Sequence, residues 1–129
     1  MRWIRRAVTR NSFRAAAFYS QVNTSIRALA LSDLDEADRI LSSAFRTSDS
    51  RRTELQRYLA LQPNGWFAAE CDGKLTGTVG AVNFGEFAYL GMMAVDPPMQ
   101  RRGIARALMQ HALAWLDARA CSIVLLDAS

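Results

Sequence analysis

At 129 residues the chain is the size of one small domain, and with half of its residues hydrophobic it has ample material for a core. No apolar run reaches the roughly 18 to 20 residues of a bilayer-crossing helix, so the chain reads as soluble. The net charge of +4 divides unevenly: residues 1–32 hold six arginines and no acid, +6, whereas residues 33–129 hold ten basic and twelve acidic residues, −2. The basic balance thus belongs to the N-terminal segment and is not a nucleic-acid footprint of the domain.

Residues 1–22 are arginine-rich, contain Ser and Thr, and lack acid. Three readings fit them: an extension outside the domain, an organellar presequence, or a basic amphipathic segment, with Trp3, Ile4, Ala7 and Val8 on one face, that lies on an anionic membrane or a partner. The domain itself is expected over residues 23–129.

It opens with a short alternating strand, Thr24 to Ala30, and a helix that Ser32 or Asp33 can cap, with acids in its first turn where the helix dipole favours them. Leu34, Ala37, Ile40, Leu41, Ala44 and Phe45 form the apolar face of that helix. A polar linker, Arg46 to Ser50, leads to a second helix over roughly Arg51 to Leu61, with Leu55, Tyr58 and Leu59 on one side. The turn Pro63-Asn64-Gly65 ends it.

Two strand-like runs, Trp66 to Cys71 and Lys74 to Phe84, flank Asp72-Gly73, the pair expected in a type I′ hairpin turn. A third strand runs from about Glu86 to Val95. Gly77, Gly80 and Gly91 inside these strands predict bulges or close backbone approach. A long helix to about Arg119 follows, with Ile104, Leu108, Ala112 and Trp115 at helical spacing, and then a continuous apolar strand from Ala120 to Asp127, read as buried on both faces. Strand, helix, strand makes a parallel pair by a right-handed crossover. The order is β-α-α-β-β-β-α-β.

The junction Val95-Asp96-Pro97-Pro98-Met99-Gln100-Arg101-Arg102-Gly103-Ile104-Ala105-Arg106 concentrates the chemistry. A proline pair ends a strand, and a basic, glycine-bearing segment opens a helix whose first amides have no intrahelical acceptor. Those amides and the positive end of the dipole favour an anion. Gly103 lets the backbone approach it closely, and Arg101, Arg102 and Arg106 add positive charge. From the residues alone, the site is one for a phosphate-type anion, a pyrophosphate better than a carboxylate.

The segment Gln100-Arg101-Arg102-Gly103-Ile104-Ala105, preceded by a strand ending Val-Asp-Pro, resembles the Gln/Arg-x-x-Gly-x-Gly/Ala signature of the GCN5-related N-acetyltransferase (GNAT) superfamily. The resemblance implies an α/β (α+β) fold with a mixed sheet and acetyl-CoA as co-substrate. It also implies direct acetyl transfer to an amine in a ternary complex, without a metal. On this chain the pyrophosphate loop is then Gln100, Arg101, Arg102, Gly103, Ile104, Ala105 and Arg106, and the strand end that bonds the pantetheine arm is Met93, Ala94 and Val95. A bulge in that strand, splaying it from its neighbour, is a further expectation of the family.

Members of the family normally continue past this point with a further helix and two strands. The chain is therefore expected to be an incomplete domain whose strand at Ile123 to Leu126 lacks one neighbour, leaving an edge that pairs with another chain or swaps strands in a homodimer. The general base varies within the family, and the acid that protonates the leaving thiolate often comes from the part absent here. No catalytic residue is assigned. Glu86 reads as a solvated hairpin residue and Tyr89 as a partly buried strand residue. His111 reads as a residue on a helix face, and Cys71 and Cys121 as buried free thiols of a reduced, cytoplasmic compartment. The acceptor is a small-molecule or peptide amine, with no nucleic acid and no membrane anchor among the partners. Two other readings remain beside this one: a non-catalytic CoA-binding or oligomerising remnant, and a different phosphate binder using the same helix start.

Overall fold

A computed structural model of the chain describes residues 2–5 and 23–126. Six strands form one sheet in the order β1-β6-β5-β4-β3-β2. They are β1 (Arg2–Arg5), β2 (Thr24–Ala28), β3 (Trp66–Cys71), β4 (Lys74–Asn83), β5 (Phe87–Val95) and β6 (Ile123–Leu126). All neighbouring pairs are antiparallel except β5 and β6, which are parallel. Helices α1 (Leu34–Phe45) and α2 (Arg52–Leu61) lie on one face, and α3 (Ile104–Asp117) lies on the other. From β2 to β6 the element order is the one expected from the sequence.

The two cores follow from the period-2 alternation of β3. Phe67, Ala69 and Cys71 pack beneath α3 with Leu108, Ala112 and Leu116, while Trp66 and Ala68 pack beneath α1 and α2 with Leu34, Ile40, Leu41 and Leu55. Trp66 is fully buried and stacks on Tyr58 of α2 at 5.6 Å. Its indole occupies the place a side chain at Gly80 would need. The β3–β4 turn has φ of 52° at Asp72 and 78° at Gly73, both positive as a type I′ turn requires.

Strand β5 carries the expected bulge, at Met92 and Met93. Thr78 pairs with Ala94 and Gly80 with Gly91, so two residues of β5 stand opposite Val79 alone. Met92 is in the left-handed region with φ of 52°, and its carbonyl accepts the Thr78 hydroxyl at 3.1 Å. Strand β6 pairs with β5 only over Phe87 to Leu90. Beyond Gly91 the edge of β5 that faces away from β4 has no strand partner among the described residues.

Three expectations change. The edge of β6 is not open, because Arg2–Arg5 pair with it antiparallel in the register Arg2 to Leu126 through Arg5 to Ile123. The compositional boundary at residue 22 therefore does not coincide with the edge of the sheet; residues 6–22, where Ala7 and Val8 fall, lie outside the described residues. Strand β6 is also not buried on both faces: Val124 is buried against α3, but Ile123 is 37% exposed, since among the described residues no helix covers that face at its start. Finally, neither Ser32 nor Asp33 caps α1 by its side chain. Asp33 instead turns back to accept the Ala30 amide at 2.7 Å and both Nη atoms of Arg27 at 2.7 and 2.9 Å, because a charged fork is the stronger partner for a carboxylate.

Candidate functional site: two clefts that meet at the β5 bulge

The turn between β5 and α3 is built by short-range bonds. The Asp96 amide donates to Thr76 O at 2.8 Å, Met99 N to Asp96 O at 2.8 Å, and Gln100 Nε2 to Val95 O at 3.0 Å. Arg39 of α1 reaches the same turn, donating to Asp96 at 2.8 Å and to Glu36 at 2.6 Å; these two carboxylates hold its pKa well above the ordinary arginine value. Arg101 and Gly103 both have positive φ, 64° and 82°. The first helical bond runs from Ala107 N to Gly103 O at 3.0 Å, so the amides before it have no intrahelical acceptor. No side chain caps this end, and no acid stands in the first turn.

Over this helix start lies a cleft of about 490 Å³. It is lined by Met93, Ala94 and Val95 from β5, by Gln100, Arg101, Gly103, Ile104, Ala105 and Arg106, and by Ala44, Phe45 and Met99. Of the ten cofactor-site residues read from the sequence, nine line it together, and Arg102 alone is exposed outside it. The lining holds two arginines and no carboxylate. Ala44, Phe45 and Met99 were missed; Phe45 reads as core from its helical spacing but is 38% exposed, because α1 runs out over the cleft at its last turn.

A second cleft of about 270 Å³ is lined by Phe45, Arg51, Glu54, Tyr58, Tyr89, Met92 and Met93. Phe45 and Met93 line both, so the two cavities adjoin at the bulge. Glu54 and Tyr58 come from one face of α2 and Arg51 from the residue just before it, at spacings of three and four. Tyr89 projects from β5 and lies along the strand over Gly91, where a Cβ would collide with its ring. Glu86 lines neither cleft; it is exposed, and its carbonyl accepts the Ser122 and Ile123 amides at 3.1 Å each. His111 is likewise elsewhere, edge-on to Phe67 at 4.6 Å, with burial pushing its pKa down. Cys71 and Cys121 are buried free thiols, Cys121 lying just ahead of β6. Among the described residues no group of three or more His, Cys, Asp or Glu side chains could hold a metal, and no helix is long and apolar enough to cross a membrane.

A mixed sheet, a bulged strand whose far edge has no strand partner among the described residues, and an uncapped helix start beside it define an α/β domain. Residues 31–129 match the model of the Acetyltransferase (GNAT) family, and the chain belongs to that family. Three solved structures illustrate the likeness. The ribosomal-protein-S18-alanine N-acetyltransferase from Escherichia coli is 29% identical with a TM-score of 0.68, over 80% of this chain and 65% of that one. A GNAT family acetyltransferase from Brucella melitensis in complex with acetyl-CoA is 25% identical with a TM-score of 0.64, over 84% of this chain and 78% of that one. An acetyltransferase structure from Pyrococcus horikoshii superposes with a TM-score of 0.70 at 22% identity, over 74% of this chain but only 35% of that one. A search of curated proteins by sequence found no match.

Proposed function

We propose that the chain transfers the acetyl group of acetyl-CoA directly to an amine. The observation that carries this reading is the larger cleft, in which the free edge of β5 leads to the uncapped start of α3. The amides from Gly103 to Arg106 would hold the pyrophosphate, with Arg101 and Arg106 offsetting its charge, and main-chain groups of Met93 to Val95 would bond the pantetheine arm. The thioester then comes to lie near the bulge, where the second cleft supplies the amine. Attack by the neutral amine forms the C–N bond and breaks the C–S bond. Backbone donors at the bulge favour the charge that develops on the carbonyl oxygen; the attacking nitrogen gives up one proton to solvent and the departing thiolate takes one up from it.

The test is calorimetric titration with acetyl-CoA, followed by release of free CoA in the presence of an amine. Wild-type protein should bind. Gly103→Glu should show no measurable binding, because it sets a side chain at φ 82° and a negative charge against the pyrophosphate. Equal binding by this variant would overturn the assignment, and binding without CoA release across a broad amine panel would point to a CoA-binding remnant.

A further inference from the structure

We propose that the smaller cleft selects an acceptor bearing a carboxylate beside its amine, an amino-acid-like zwitterion, with Arg51 as the carboxylate receptor; this rests on the acetyl-transfer reading of the adjoining cleft. Three arginines of the described fold meet carboxylates: Arg27 meets Asp33 at 2.7 Å, Arg39 meets Glu36 at 2.6 Å, and Arg52, next to Arg51 in the chain, meets Asp35 at 2.6 Å. Arg51 is half-buried and lines the cleft; among the described residues it makes no ion pair, and its buried Nη1 has no hydrogen-bond acceptor. A buried N–H left unpaired is costly, the more so on a charged group.

Its position is nonetheless secured. The guanidinium lies over the Phe45 ring at 5.0 Å. The Arg51 amide donates to Asp38 Oδ1 at 2.6 Å, and the Ser50 hydroxyl donates to Oδ2 at 2.8 Å. Asp38 is thus engaged with the backbone and with Ser50, not with the Arg51 side chain. A held, planar cation without a counter-ion matches a carboxylate, which it can bind through two parallel hydrogen bonds.

Glu54 supplies the opposite charge in the same cleft and forms no ion pair among the described residues, while Tyr58 and Tyr89 add two phenols. One cation and one anion, neither ion-paired among the described residues and three positions apart, complement a molecule that carries both signs. A simple monoamine would leave Arg51 unpaired, and a polyamine would be repelled by it. The volume of about 270 Å³ suits a single amino acid.

The full chain saturated with CoA should be titrated with glycine, alanine, glutamate and phenylalanine, and with the primary amide of each. The free acids should bind about tenfold or more tightly than their amides. Arg51→Met should erase that preference while CoA binding persists. Equal binding of acids and amides, a preference for amides, or no binding of any acid would overturn the proposal, and the wild-type comparison reads these without a variant. Persistence of the preference in Arg51→Met would also overturn it. CoA binding is measured first in the same experiment: its absence would sink the acetyl-transfer reading and this one with it, whereas CoA binding without an acid preference would sink only the latter.

Discussion

Arg27 and Asp33 tie the end of β2 to the entry of α1, with Asp33 also holding the Ala30 amide. The Arg27 hydrogen bonds, helped by that amide, hold the Asp33 carboxyl below its usual range, against the opposing effect of burial. A carboxylate whose folded pKa is depressed stabilises the fold above its unfolded value, about 3.9, and that contribution is lost as pH falls through the folded value. Asp33→Asn should therefore cost up to about 1 kcal/mol at pH 7. The gap from wild type should shrink in urea midpoints measured below about pH 4. At this scale the sequence was informative where backbone chemistry decides, as at Gly103. It was uninformative where a side chain has two competing partners: Asp33 is a good helix cap by type, and only the fold brings Arg27 within its reach.

The β5 bulge and the end of α1 explain what could be read of the site and what could not. Strand β5 and the loop after it are local features, so Met93 to Val95 and Gln100 to Arg106 are recognisable from spacing and glycine placement. The second cleft joins α2 to β5 across the sheet, and the helical face at Arg51, Glu54 and Tyr58 looks like any solvated face until Trp66 and Phe45 fix its orientation. The sheet in turn depends on small residues beneath that helix. Gly80→Ala should push a methyl into the Trp66 indole and destabilise the domain by about 1 to 3 kcal/mol, as read by thermal or denaturant unfolding. A neutral or stabilising result would show that the indole can shift without disturbing α2.

For the molecule as a whole, composition sets residues 1–22 apart, yet Arg2–Arg5 close the sheet against β6. No charge or hydropathy pattern announces a four-residue edge strand, because its pairing uses main-chain groups that every residue carries. Removing residues 1–22 should expose the outer edge of β6 and raise self-association, measurable by analytical ultracentrifugation. A monomer of unchanged stability would mean that the Arg2–Arg5 pairing contributes little.

The same pairing bears on how the protein is made. Arg2 and Leu126 are register partners although they lie far apart in sequence. On a ribosome, which delivers a chain at roughly 5 to 20 residues per second, β1 must wait for β6 before the two can pair. The hairpin of β3 and β4 and its extension to β5 can assemble meanwhile from local contacts, whereas pairing of β1 with β6 closes the longest loop among the described strands, the one of highest entropic cost.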